Sequence, residues 1–175
     1  MEAVEPLIDT AWQARREGRR DEAERLLVHA VEVARQSPDQ ALLARALGAL
    51  AHVARDAGDG ERALPMYEEA VAVGRQKGDR LSLAHSIRHL GDLHAEAGRL
   101  SAAEPCYDEA LALYRAALSP DLDFANALRR AALLKQAKGE VAAARELWSE
   151  ARARYEAAGI QAGVDECVRQ LATLS

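Results

Sequence analysis

His85 and His89 stand four residues apart, with Asp92 three residues further on. On a helix this spacing puts the three on one face, and the residue types are those of a transition-metal site. Arg88 lies between the histidines, however, and its permanent charge opposes a cation there. Ligand contact or solvation is therefore the reading for the pair, and no metal is assigned. Near pH 6 protonation of the two imidazoles makes their surroundings more positive. Cys106 and Cys167 are far apart and lack metal-ligand spacing, so reduced, packed thiols are expected. Arg15, Arg16, Arg19 and Arg20 form a basic run, but Asp21, Glu22 and Glu24 follow at once, which describes a solvated helix junction. A Gly-rich phosphate loop, a GxSxG turn and a close pairing of nucleophile with base are all missing, and the carboxylates fall at regular helical surface spacings. A non-enzymatic chain without a cofactor is expected.

The elements that hold these residues follow from composition and period. Hydrophobic residues make up 49% of the chain and aromatics only 4%, so alanine and leucine must build the core. That favours close-packed helices over sheets, which lean on β-branched and aromatic residues. A net charge of -5 argues against a binder of duplex nucleic acid. The N-terminal MEAVEPLIDT has neither a basic nor an apolar leader region, and no window approaches the roughly 20 apolar residues of a membrane span. A soluble, cytoplasmic chain is expected.

Along the chain, Val4, Leu7, Ile8 and Ala11 mark one face of a helix from about Glu2 to Glu17, ended by Gly18. A second helix spans about Asp21 to Gln36 and is broken by Ser37-Pro38-Asp39, where Asp39 can cap the next. Helices are then predicted over about Gln40–Ala57, Glu61–Gln76, Arg80–Ala97 and Ser101–Ala117, with turns at Gly58, Gly60 and Gly98. Ser101 and Glu104 have the spacing of a capping box. Pro65 and Pro105 sit near the first turns of the two return helices, where each removes one hydrogen bond and a slight bend is expected. After a junction at Ser119, Pro120 and Asp121, a further pair covers about Leu122–Lys138 and Glu140–Ala158. A last helix, about Gln161–Thr173, gathers Val164, Cys167, Val168 and Leu171 on one side as a cap.

One frame of small and large residues recurs through these elements. Gly91, Gly98, Ala103, Tyr107 and Ala110 are matched forty residues upstream by Ala51, Gly58, Ala63, Tyr67 and Ala70. Another forty upstream stand Ala11, Gly18, Ala23, Leu27 and Ala30, and 41 downstream Ala132, Gly139, Ala144, Trp148 and Ala151. Such self-similarity signals a solenoid, each unit burying its apolar face against its neighbours. Alanine or glycine at a helix crossing lets the axes approach, and the bulky residue a turn away fills the space beside it.

With Leu50-Ala51 and Leu90-Gly91 in the first helices, this frame resembles the tetratricopeptide repeat. Leu64-Pro65-Met66-Tyr67 and Glu104-Pro105-Cys106-Tyr107 look like its longer-period variant, similar to the repeats of kinesin light chains and several bacterial regulators. The period of 40 to 41, Thr10 and Leu27 in the first repeat, and Ala131-Ala132 in the fourth depart from the family pattern. The resemblance implies an all-α, right-handed solenoid of antiparallel helix pairs, about nine helices in one domain over 1–175. Its repeats would fall near 4–37, 38–78, 79–119 and 120–159, with a capping helix over 160–175.

In that family the first helices line a concave groove, and counting from Ala51, Gly91 and Ala132 as the eighth position transfers its ligand-facing positions to this chain. They are Ile8, Trp12 and Arg15; Arg45, Gly48, His52 and Arg55; His85, Arg88, His89 and Asp92; and Asn126, Arg129, Arg130, Leu133 and Gln136. An acidic chain thus concentrates arginine, histidine and asparagine on one face. Arginine offers a planar fork to carboxylates, and asparagine can hold peptide backbone through donor and acceptor alike. The implied function is an adaptor or scaffold module that binds an acidic or C-terminal peptide segment of a partner protein. The lysines of the carboxylate clamp found in some relatives are absent, and that clamp is not transferred. The competing expectations are arginines paired with acids on neighbouring helices, a self-assembling unit that uses Trp12, and a sensor for a small anion or a metal. His29 and His94 fall on packing-side positions.

Overall fold

The computed structural model describes residues 3–77, 79–117 and 121–174. Among them the chain is all-α: α1 (Val4–Arg16), α2 (Arg20–Arg35), α3 (Gln40–Asp56), α4 (Gly60–Lys77), α5 (Arg80–Glu96), α6 (Leu100–Ala116), α7 (Asp121–Ala137), α8 (Val141–Ala157) and α9 (Gln161–Thr173). Ser119 and Pro120 of the expected junction lie outside the described residues. None of the described helices is long and apolar enough to cross a membrane. Packing divides the chain into two compact units, residues 1–90 and 91–175, with the boundary inside α5.

In the first unit α1 packs on α2, α2 on α3 and α3 on α4, and α1 also touches α3. Contact between helices one and three is what stacked antiparallel pairs produce. In the second unit α6 packs on α7, α7 on α8 and α8 on α9. The recurring frame is the buried set. Its alanines at 11, 51 and 132, at 23, 63, 103 and 144, and at 30, 70, 110 and 151 are no more than 1% exposed, and its large members Leu27, Tyr67, Tyr107 and Trp148 no more than 2%. Gly91 holds the alanine place in the third register because a Cβ there would come within 3.0 Å of the Tyr107 ring and 3.1 Å of the Cys106 side chain.

Each tight turn repeats one device. Gly18, Gly58, Gly98, Gly139 and Gly159 have φ between 70° and 83°, a left-handed conformation that costs other residues a Cβ clash. The N–H after each glycine reaches back to the carbonyl five residues earlier, as from Arg19 to Ala14 at 2.9 Å and from Arg99 to His94 at 2.8 Å. This Schellman closure satisfies the last helical carbonyls. Where no glycine turn intervenes, an aspartate starts the helix: Asp39 accepts from the Ala41 N–H at 3.0 Å, and Asp79 from the Ser82 N–H at 3.0 Å.

Three local expectations are corrected. Ser101 and Glu104 form no capping box, because the closure at Gly98 lets Arg99 serve as N-cap and α6 starts at Leu100, before Ser101. Glu104 pairs instead with Lys135 and, at 2.6 Å, with Lys138. His29 is exposed, since the packed face of α2 runs through Leu27, Ala30 and Val31. On α9 the buried residues are Gly163 and Cys167 while Val168 is exposed, because Gly163 lies so close to the Tyr155 ring that a Cβ would come within 2.6 Å of it.

Candidate functional site

Ser86, Arg88, His89 and Asp92 are the buried polar and charged residues of the described chain, and all four lie on α5. Burying such groups in an alanine-rich core is costly unless they are held by specific partners. In the first unit His89 is the centre of that holding. Its Nε2 lies 2.8 Å from Nη2 of Arg88 and 3.1 Å from Nε2 of His85, and its Nδ1 lies 3.0 Å from Nη1 of Arg55. Tyr67 of α4 stacks on the same ring, centroids 5.4 Å apart.

His52 of α3 extends the cluster outward. Its ring is edge-on to His89 at 4.9 Å and edge-on to Trp12 of α1 at 5.4 Å, and it lies 6.1 Å from His85. Arg15 stacks over Trp12 at 5.5 Å and donates to Asp56 at 2.8 Å, while His52 Nε2 lies 3.7 Å from the same carboxylate. Trp12, His52, Arg55 and His85 are half-buried and form a partly open layer over the buried Arg88 and His89.

Burial holds the His89 imidazole well below its ordinary pKa, and the charges of Arg88, His85, His52 and Arg55 push it the same way. Burial also lowers His52; Asp56 pulls it back up, and Arg15, Arg55 and Arg88 oppose that pull. Both rings are therefore neutral at pH 7. The ligand nitrogens of His52, His85 and His89 lie within 4.8 Å of one another, so the third histidine, not Asp92, completes a metal-like triad. Yet a lone pair on His89 that accepts from a guanidinium is not available to a metal, and two guanidiniums at contact distance oppose a divalent cation.

Other residues expected on the ligand-facing positions have protein partners. Arg45 donates to Glu5 at 2.7 Å. In the second unit Arg129 donates to Glu166 at 2.8 Å, and Arg130 lies 3.4 Å from Asp92, which also accepts from the Tyr107 hydroxyl at 2.9 Å. Asn126 accepts from the Tyr155 hydroxyl at 2.8 Å, and Gln136 accepts from the Trp148 indole at 2.7 Å. Pairing with acids is thus the observed state of Arg45, Arg129 and Arg130. Sequence reasoning missed Asp56, Tyr67 and Tyr107. The two tyrosines were legible only as core-filling rings, although a buried hydroxyl at that place of the frame signals a polar partner on the facing helix.

The model of a family described as the tetratricopeptide repeat matches residues 13–76 and 42–116. Comparison with curated protein sequences gives no significant match. Among solved structures, BtubC from P. vanneervenii is 21% identical with a TM-score of 0.74, over 98% of this chain and 79% of that one. A kinesin light chain from Podosopora anserina with nearly identical TPR-like repeats is 18% identical with a TM-score of 0.71, over 99% and 97%. Aspartyl phosphate phosphatase F from Bacillus subtilis is 13% identical with a TM-score of 0.81, over 95% of this chain and 44% of its own. At these identities the likeness is one of fold.

Proposed function

Since the chain belongs to the tetratricopeptide repeat family, we propose that it is a protein-interaction module that holds an acidic or C-terminal peptide segment of a partner against the first helices of its repeats, in an adaptor or scaffold role. The observation that carries this reading is the layering on α1, α3 and α5. Half-exposed Trp12, His52, Arg55 and His85 cover a buried Arg88 and His89, in a protein whose buried side chains are mostly alanine, other aliphatic residues and aromatic rings. An aromatic ring beside guanidinium and imidazole groups suits a segment that carries both carboxylates and apolar side chains. Arg45, Arg129, Arg130 and Asn126, held by Glu5, Glu166, Asp92 and Tyr155, belong to the same reading as further contacts.

Selection from peptide libraries with free and blocked C-termini tests the proposal. Acidic sequences binding in the micromolar range, about -8 kcal/mol, are expected. The double substitution Arg55→Gln/His85→Gln should weaken them at least roughly tenfold with helical content unchanged, the loss of one charge-assisted hydrogen bond being enough. Equal enrichment of acidic peptides by the wild-type and doubly substituted proteins would sink it.

A further inference from the structure

The recurring frame changes at two places on α9. Contacts between successive helices fix the alignment: a Cβ at Gly74 would lie 3.3 Å from Leu83, the Tyr114 and Phe124 rings stack with centroids 6.1 Å apart, and a Cβ at Gly163 would lie 2.6 Å from the Tyr155 ring. Gly163 thus holds the place of Leu83 and Phe124, and Cys167 that of the buried Ile87 and Leu128. In the same alignment Val164 replaces Ala44, Ala84 and Ala125, and Leu171 replaces Ala51, Gly91 and Ala132. The earlier residues are small because a return helix crosses there. A Cβ at Gly74 of α4 would lie 3.8 Å from that of Ala44, and Gly91 lies against Cys106 and Tyr107 of α6. A valine and a leucine do not admit so close a crossing. This side of α9 is therefore shaped for a different occupant than one more unit of the frame.

The other sides of α9 are taken. Glu166 accepts from Arg129 and Gln170 from Gln136, both of α7, at 2.8 and 3.0 Å, and Gly163 packs on Tyr155 of α8. At about 100° per residue, Val164, Val168 and Leu171 come next, within roughly 60° of one another. Val168 is 48% exposed. Beyond them the outer edge carries Asp165, which accepts from Gln161 at 2.8 Å, and Arg169. Both are exposed, and neither makes an ion pair among the described residues. On the α8 flank the cations are committed, Arg152 to Glu156 at 2.8 Å and Arg145 to the Leu174 carbonyl at 2.9 Å.

We propose that the stripe of Val164, Val168 and Leu171 seats a second copy of the chain, the two α9 helices lying antiparallel across a two-fold axis beside Cys167 and Val168. Such an axis sets Val164 level with Leu171 of the second copy and Val168 against its own counterpart. It also brings Asp165 of each copy to within about one residue's rise, roughly 1.5 Å, of the level of Arg169 of the other, on the same flank. The face is thus complementary to itself in apolar and charged groups alike, as an isologous contact requires. A uniformly acidic or basic partner would satisfy only one of the two charges. Three apolar side chains per copy make a small contact, below about 1,200 Å² of total area, so the dimer is weak and depends on concentration.

Sedimentation equilibrium of the chain from about 10 μM to 1 mM tests the pairing. The weight-average mass should rise with concentration from 19.0 kDa toward twice that value and no further. Val168→Asp changes an exposed side chain, so helical content should be unchanged, while association weakens at least roughly tenfold because a carboxylate enters an apolar contact. Asp165→Arg and Arg169→Asp each set like charges together and should weaken association separately. An equimolar mixture of these two variants should associate more strongly than either by itself, because opposite charges then meet across the axis. A mass that stays at 19.0 kDa throughout overturns the proposal and leaves the stripe to a helix of another protein. Growth past the dimer, association undiminished by Val168→Asp, or a mixture no stronger than its components overturns the two-fold pairing.

Discussion

The Tyr107 hydroxyl donates a 2.9 Å hydrogen bond to Asp92, a carboxylate only 1% exposed. Tyr107 is at once the ring that fills the crossing beside Gly91 and the donor that accompanies a charge into the core. Tyr107→Phe keeps the volume and removes the donor. A loss of about 1–2 kcal/mol is expected, read as a fall of several degrees in the thermal midpoint, with helical content unchanged. An unchanged midpoint would show that the hydroxyl does not support Asp92.

Gly91 and Gly98 are both glycines of the frame, held for different reasons, and substitution separates them. A Cβ at Gly91 would lie 3.0 Å from Tyr107, whereas one at Gly98 meets nothing within 4 Å but sits on a backbone with φ of 72°. Each alanine variant should lose stability, by about 1–3 kcal/mol at Gly91 through overpacking and about 1–2 kcal/mol at Gly98 through conformational strain. Asparagine tells them apart: Gly98→Asn should cost less than Gly98→Ala, because asparagine tolerates the left-handed region, and Gly91→Asn should cost more than Gly91→Ala. Urea midpoints of the four variants check the crossing.

The depressed pKa values of His52 and His89 give stability a defined dependence on pH. The folded protein resists protonating these rings, while the unfolded chain takes up protons near the ordinary histidine value of 6.5. Their contribution is complete above that value and is lost as pH falls below it toward the folded-state pKa. Urea midpoints should therefore decline between pH 7.5 and 5. The decline should be shallower in His89→Gln, the ring with the larger depression. Parallel profiles for wild type and variant would contradict the assignment.

Cys167 is fully buried, and that burial pushes its thiol up to about 11. At pH 8 its thiolate fraction is then roughly 200-fold smaller than that of an ordinary cysteine with a pKa near 8.5. In a Cys106→Ser background, labelling of folded protein by a disulfide reagent should be slower than that of denatured protein by at least this factor. Comparable rates would mean that α9 opens readily from α8.

The fold was legible because its determinants are local and repeated. A small residue at each crossing, a glycine at each turn and a bulky residue between them can be read without knowing which helix each will face. Gly98 and Gly139 announced their turns in this way, and only Gly159 escaped, since it follows the last copy of the frame. Side-chain partnership was less legible. His85 and His89 were visible as a pair, but His52, which completes the triad, stands 33 residues before His85 and meets it only because α3 and α5 belong to successive repeats. The same holds for Arg45 and Glu5, forty residues apart. Such pairs lie about one repeat apart, so the period predicts the facing helix. Which acid a long arginine side chain reaches depends on rotamers that no spacing encodes.

Placing the buried polar residues of the described chain on α5 also bears on how the chain avoids misassembly. Helices built on one shared frame can dock a unit out of step, because the alanine faces of α1, α3 and α7 offer nearly interchangeable surfaces. A slipped alignment that set α5 in another helix's place would bury Arg88, His89 and Asp92 against apolar side chains, at a cost of several kcal/mol. The apolar frame supplies cohesion without addressing, and α5 supplies the address: one polar helix singles out a single order of assembly from several of nearly equal packing energy.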